Sequence, residues 1–259
     1  MKIEIWSDVA CPWCYIGKRR FETALNNFQH KDQVEVKWRS YQLDPSLPDH
    51  YDGTELGYLS ERKGMAAEQV SQMFAHVSAQ AAGEGLRYDF DKVVVANSFK
   101  AHQLLHLAAA HGRGDDAKEA LLSAHFEHGE DIGDNGFLVR TGVALGLDAD
   151  GIAQALETEK YADEVRADFA EARALGITGV PFFVIDRKYG ISGAQPAELF
   201  SQALNEAWQE AHPLVMVGQP AGAGQGAGAG GGTGAGGGAG AATDSGLGGE
   251  VCGPDGCAP

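Results

Sequence analysis

The residues best equipped for chemistry are four cysteines, which fall in two close pairs: Cys11-Pro-Trp-Cys14 and Cys252-Gly-Pro-Asp-Gly-Cys257. Thiols spaced this closely can pass between dithiol and disulfide, and the thiolate is the form that attacks. The first pair sits where a strand-like run, Ile3 to Val9, meets a helix-like run, Tyr15 to Phe28. Unpaired backbone N–H groups and the positive end of the helix dipole both favour a thiolate there. Cys11, at the helix entry, is therefore expected to be exposed, with a lowered pKa, and to act as nucleophile. Cys14, one turn further in, is expected to be more buried and to resolve the mixed disulfide. Lys18, Arg19 and Arg20 would add positive potential if they turned inward, and Asp8 acts against it.

Other chemistries compete for these cysteines. A CxxC can be a static cross-link or half of a zinc site, and four cysteines could supply four ligands. The second pair, however, has CxxxxC spacing and lies across a Gly/Ala-rich stretch, so no metal site is assigned. In the second pair, Pro-Asp-Gly is a strong turn former that would bring the two thiols close enough to pair. Its redox reading is a second centre exchanging with the first pair; the plainer readings are an inert tail or a terminal metal clip. His102 and His106 are spaced i, i+4, but no Glu stands between them and their neighbours are leucines. They are read as core or surface histidines, and His125 and His128 carry a weaker metal signal still. No phosphate-binding glycine loop is present: the glycine-rich stretch lacks Lys-Ser/Thr and a flanking strand.

The bulk numbers limit partners. A net charge of −16 argues against a nucleic-acid backbone or an anionic membrane as partner. No apolar run approaches the roughly 20 residues of a membrane helix. Met1 leads almost directly into a strand, with no basic segment followed by an apolar one, so a cytoplasmic location is expected. Disulfides there are mostly transient and catalytic.

The elements that must hold the first pair follow from periodicity. Lys2 to Val9 alternates as a strand, Pro12 suits the first turn of a helix, and Val34 to Tyr41 alternates again. A β-α-β opening implies parallel strands with a right-handed crossover. From about 54 to 175 helical spacing takes over: Val70, Met73, Phe74 and Val77; Leu104, Leu105, Leu107 and Ala108; Leu121, Leu122 and Phe126; Ile152, Ala155 and Leu156; Val165, Phe169 and Ala172. These stripes read as core of a helical insertion. Two short strands, Val180 to Asp186 and Lys188 to Gly193, precede a last amphipathic helix with Leu199, Phe200, Leu204 and Trp208 on its apolar face. Folding is expected to end near Val217. Residues 218 to 249 are almost all Gly and Ala and read as a flexible tether. Its span of roughly 30 Å exceeds the globule's radius of gyration of about 17 Å, so Cys252 and Cys257 could reach the first pair.

Three blocks in order carry a family resemblance: Ser7-Asp-Val-Ala-Cys-Pro-Trp-Cys-Tyr-Ile-Gly-Lys18, Asn97-Ser-Phe-Lys-Ala-His102, and Gly179-Val-Pro-Phe-Phe-Val184 with Tyr189-Gly-Ile-Ser-Gly-Ala-Gln-Pro196. Over about residues 1 to 212 the chain resembles the FrnE-like branch of the DsbA family of thioredoxin-fold dithiol–disulfide oxidoreductases. The resemblance implies an α/β, thioredoxin-like (DsbA-type) fold, made of residues 1–53 and 176–217 with a helical insertion at 54–175. The linker at 218–249 and a CxxxxC tail at 250–259 follow. It implies Cys11 and Cys14 as catalytic, with Pro12, Trp13, Val180 and Pro181 binding substrate and a cis peptide bond before Pro181. Without the resemblance, Pro181 reads as an ordinary proline opening a strand. Paired with the cis arrangement, Val180 would offer its backbone to an extended client. Some FrnE-like proteins also carry an accessory CxxxxC like Cys252 and Cys257.

The function so implied is a cytoplasmic disulfide reductase or isomerase. It would act on protein or small-molecule disulfides and be recharged by a cellular thiol, with no cofactor beyond its cysteines; glutathione is a candidate reductant. A related branch, similar around Ser-Asp, Pro-Trp and Val-Pro, holds glutathione-dependent 2-hydroxychromene-2-carboxylate isomerases and kappa-class transferases. It is the alternative reading, but it has serine where this chain has Cys11. A zinc module and a holdase with an exposed apolar groove are the readings from other classes.

Overall fold

The computed structural model describes residues 1–48 and 51–213, and the backbone of residues 252, 253, 256 and 257. Strand β1 (Lys2–Ser7) runs through Ala10 into helix α1 (Pro12–Asn26) and returns as β2 (Glu35–Ser40). β1 and β2 pair in parallel, Lys2 opposite Glu35 through Ser7 opposite Ser40. The chain then leaves the sheet for seven helices: α2 (Glu55–Arg62), α3 (Ala67–Gly83), α4 (Phe99–Ala110), α5 (Gly114–Ser123), α6 (Asn135–Ala144), α7 (Ala149–Glu157) and α8 (Ala162–Ala174). It comes back as the hairpin β3 (Phe182–Ile185) and β4 (Tyr189–Ser192) and closes with α9 (Ala197–Ala211). β3 lies antiparallel to β1 and to β4, so the sheet order is β2-β1-β3-β4.

Alternation along β1 sorts its side chains between two faces. Ile3 and Ile5 join Phe183, Ile185 and Ile191 under α1 and α9, where Phe21, Phe28, Phe200 and Leu204 complete one core. Trp6 faces the other side and packs with the cysteines, Ile16 and Ala172 in a second core. Glu4, on that same side, is buried and held by Arg39 and Arg187. A third core lies among α4, α5, α6 and α7 around Leu104, Leu121, Leu138 and Ile152, and Val9 anchors it to the strand. Thus one short segment, residues 6 to 11, touches both the sheet and the helical layer.

Caps set several helix starts. Thr54 accepts from Gly57 N–H at 3.1 Å, Asp134 from Phe137 N–H at 2.6 Å and Asp148 from Gly151 N–H at 2.7 Å. α1 differs: its N-cap residue is Cys11, whose side chain makes no capping bond, and Pro12 follows it. In the tail, the two-residue strands β5 (Cys252–Gly253) and β6 (Gly256–Cys257) pair antiparallel and set the backbone of Cys252 opposite that of Cys257. The tether assigned to 218–249, and the expected end of folding near Val217, lie outside the described residues.

Candidate active site

Cys11 and Cys14 both carry free thiols at the start of α1. The turn between them closes through Cys14 N–H donating to the Cys11 carbonyl at 3.0 Å. Across from them the Val180–Pro181 peptide bond is cis. Cys11 Sγ stands 3.6 Å from the Val180 carbonyl oxygen. Gly17, one turn along α1, makes this approach possible, because a Cβ there would lie 2.9 Å from Pro181 Cγ. Pro12 offers its carbonyl to Tyr88 Oη at 2.6 Å, and the Trp13 ring meets His76 at 6.0 Å. The structure therefore gathers Cys11, Pro12, Trp13, Cys14, Val180 and Pro181 at one place.

The exposure expected for Cys11 does not hold. Cys11 is 0% and Cys14 1% exposed, so burial scarcely distinguishes them. The expected pKa order fails as well. Burial, the neighbouring Cys14 sulfur and the Asp8 carboxylate push the Cys11 thiol well up. Burial also raises Cys14, but the hydrogen bond from Cys11 and the Lys118 ammonium outweigh it and bring the Cys14 thiol down. Of the two thiols, Cys14 is thus the one that ionises more readily. The Val180 carbonyl oxygen faces the Cys11 sulfur.

Two buried charges lie behind the pair. Asp8, 1% exposed, accepts from Leu43 N–H at 2.7 Å and Ala10 N–H at 3.3 Å, and pairs with His102 Nε2 at 3.2 Å. Burial raises its pKa, but His102 and these bonds hold it below the usual value. Lys118, 1% exposed on α5, donates to the Ser7 carbonyl at 3.4 Å. Burial drives its pKa down to about 8 against the attraction of Cys14 and Asp8. Sequence inspection missed Lys118 and Tyr88, since neither belongs to a motif. The cations of α1 do not reach the sulfurs: Lys18 pairs with Glu119 at 2.9 Å, Arg19 with Glu22 at 3.0 Å and Arg20 with Glu84 at 2.7 Å.

His102 and His106 have structural partners through Nε2. His102 binds Asp8, while His106 meets Ser40 at 3.1 Å and Asp168 at 3.1 Å. Among the described residues no group of His, Cys, Asp or Glu could hold a metal ion. No helix among them is long and apolar enough to cross a membrane. The side chains of Cys252 and Cys257 lie outside the described residues.

A parallel β-α-β unit extended by an antiparallel hairpin, with a CxxC at the helix head and a cis-proline facing it, defines a thioredoxin-type protein with a helical insertion. Residues 2–205 match the model of the DSBA-like thioredoxin domain, and the chain belongs to this family of thiol–disulfide oxidoreductases. It is similar to a probable DsbA oxidoreductase from Streptomyces coelicolor, with 43% identity, a TM-score of 0.77, and coverage of 100% of this chain and 99% of that one. It is also similar to the uncharacterized protein YwbO of Bacillus subtilis, 29% identical over 208 residues, which is 79% of this chain and 96% of that protein. The cytosolic disulfide reductase DsbM from Pseudomonas aeruginosa shares the fold at a TM-score of 0.55 and 18% identity, over 81% of this chain and all of that one.

Proposed function

We propose that this protein is a thiol–disulfide oxidoreductase of the FrnE-like branch, working in the cytoplasm as a reductase or isomerase through Cys11 and Cys14. The observation that carries the reading is the placement of both free thiols at the head of α1, with Cys11 Sγ 3.6 Å from Val180 beside the cis Pro181. In the proposed cycle a substrate disulfide meets Cys11 while its proton passes to Cys14. The Cys11 thiolate attacks one substrate sulfur, a mixed disulfide forms, and the other substrate sulfur leaves as thiolate. Cys14, whose thiol is held low beside Lys118, then passes its proton to the departed substrate thiolate and attacks Cys11 Sγ, releasing the second substrate sulfur as a thiolate that takes its proton from water. The substrate leaves as dithiol, two electrons have passed to it, and the protein holds a Cys11–Cys14 disulfide. A cellular thiol, with glutathione the first candidate, returns the electrons. Pro12, Trp13, Val180 and Pro181 would form the bed on which the client sulfur is presented.

The pKa order found here suits that division of labour. A resolving thiol that ionises readily shortens the life of the mixed disulfide, while Cys11 needs its charge only when a client sulfur is near. Reduction of insulin, or recovery of a scrambled disulfide substrate, tests the proposal. Cys11→Ser should abolish turnover, and Cys14→Ser should accumulate the mixed disulfide; full activity in Cys11→Ser would defeat it. Glutathione-dependent isomerisation surviving both serine variants would favour the related isomerase branch instead. The tail pair is proposed as a second redox centre. Oxidising a Cys14→Ser, Cys257→Ser protein should then trap a Cys11–Cys252 species.

A further inference from the structure

The CPWC turn is gripped from the helical insertion as well as from the sheet. Tyr88, in the stretch between α3 and α4, donates its hydroxyl proton to the Pro12 carbonyl at 2.6 Å. That carbonyl belongs to the peptide unit joining Pro12 to Trp13, midway between the two cysteines. Burial, and the charge that Cys11 and Cys14 carry when ionised, push the Tyr88 hydroxyl well above its ordinary pKa. It therefore keeps its proton, and remains a donor, while the thiols titrate.

Tyr88 has little freedom to follow the turn. Its ring stacks on Phe126 at 4.9 Å and on Tyr15 at 6.2 Å, and meets Phe90 edge-on at 5.8 Å. The backbone on either side is pinned to one place. Arg87 N–H donates to the Glu127 carboxylate and Asp89 N–H to the Phe126 carbonyl, both at 2.8 Å. Phe126 and Glu127 lie in a single π-helical turn, Ala124–His128, directly after α5. Such turns are rare and are frequent at functional sites. A rigid post from the insertion thus holds a carbonyl that lies between the two sulfurs in sequence.

We propose that Tyr88 is a positioning residue that biases the Cys11–Cys14 pair toward its dithiol form through the hydroxyl bond to Pro12. The bond is made while both thiols are free. Closing the disulfide brings the sulfurs to about 2.05 Å and the two Cβ atoms to about 3.8 Å. Pro12 and Trp13 must then move, and the pinned tyrosine stays behind. The hydroxyl bond lengthens, which costs the disulfide form and spares the dithiol. The inference rests on the redox reading of this pair, but the equilibrium between its two forms is measured without any client.

Full-length protein carrying Cys252→Ser and Cys257→Ser, equilibrated at pH 7 with reduced and oxidised glutathione, reports the Cys11–Cys14 pair alone. Each closure passes two electrons and two protons to one glutathione disulfide, which becomes two glutathiones. Tyr88→Phe keeps the ring and drops the hydroxyl. It should shift the equilibrium toward the disulfide by about five-fold. Urea unfolding should show the dithiol form losing stability relative to the disulfide form by the same factor. A hydroxyl that only supports the fold would weaken both forms alike and leave the equilibrium unmoved. Tyr15→Phe is the control, because that hydroxyl donates to Glu119 at 2.6 Å and not to the turn. 3-Fluorotyrosine in place of Tyr88, a stronger donor of nearly the same shape, should shift the equilibrium toward the dithiol, and it carries the test if Tyr88→Phe fails to fold. An unmoved equilibrium in Tyr88→Phe, a shift toward the dithiol there, or an equal shift in Tyr15→Phe would each overturn the proposal. Full insulin reduction by Cys11→Ser, with the Tyr88→Phe shift intact, would defeat the redox reading and leave this one standing.

Discussion

Lys118 and Asp8 act on the two sulfurs with opposite sign. Asp8 raises Cys11, and Lys118 lowers Cys14. The lysine has one hydrogen bond, to the Ser7 carbonyl, so its charge is poorly solvated and its pKa falls to about 8. An unfolded lysine keeps its ordinary value near 10.4. The folded state therefore holds its proton less tightly, and the penalty is full below pH 8 and fades as pH rises toward 10.4. That gap corresponds to about 3 kcal/mol at neutral pH. Lys118→Met, which keeps the shape and drops the charge, should stabilise the protein by up to that amount in urea unfolding at pH 7. The difference from the parent should close as pH rises above 8. The same variant should move the thiolate titration upward and slow resolution of the mixed disulfide on the order of ten-fold. A stable variant with unchanged thiolate titration would show that Lys118 has no part in the chemistry. None of this was legible in the sequence. The CxxC and Val180-Pro181 carry local signatures, but a lysine in a distant helix reads as a surface residue, because lysine is rarely buried.

The active site exists because whole elements meet, and two contacts decide how closely. α1 approaches the Pro181 loop at Gly17, where a methyl group would stand 2.9 Å from Pro181 Cγ and 3.5 Å from Ala194 Cα. Neither neighbour is the free end of a flexible side chain. Gly17→Ala gains about 0.5–1 kcal/mol from helix propensity, but overpacking costs about 1–3 kcal/mol, so the net change should be destabilising. It should also slow insulin reduction by parting Cys11 from Val180. A variant as stable and as active as the parent would mean that α1 yields without consequence. On the other side, α3 covers the turn: Val77 shares a core with both cysteines, and His76 meets the Trp13 ring at 6.0 Å. Iodoacetamide should therefore label the reduced pair far faster than a bulky maleimide, and mild urea should narrow the difference. The β-α-β opening, the closing hairpin and the stripes of α3, α4, α5, α7 and α8 were all readable from period and turn chemistry. α2 and α6 were not. α2 is 8 residues long with one buried side chain, Tyr58, and α6 carries glycines at 136 and 142. Short or weak helices take their stability from packing rather than propensity, and packing is invisible in one sequence.

Taken as a whole, the molecule couples its charge to its core in a way that composition does not reveal. The net charge of −16 reads as a solvated acidic surface, yet the residues that set its acid response are buried. Burial lowers His125 to about 4 and also lowers His102. An unfolded histidine takes up its proton near pH 6.5. Between pH 6.5 and 4 the unfolded chain thus binds protons that the folded one refuses, and stability falls, by about 3 kcal/mol from His125 alone. The carboxylates act lower down. Burial raises Glu4 and Asp44, but Arg187 and Arg39 hold Glu4, and Ser46 and Tyr58 hold Asp44, at about 2. Their contribution is present above pH 4 and is lost as pH falls from 4 to 2. Loss of net negative charge on acidification works the other way, but surface repulsion beyond about 8 Å is screened at physiological ionic strength. Urea unfolding from pH 8 to 3 at that ionic strength should show two stages, a shallow loss beginning near 6.5 and a steeper one below 4. His125→Leu, similar in size and unable to titrate, should flatten the first stage and leave the second. Stability that stays level from pH 8 to 4.5 would mean that the folded protein accommodates a protonated His125, and that water reaches its Nδ1, which has no hydrogen-bond partner among the described residues.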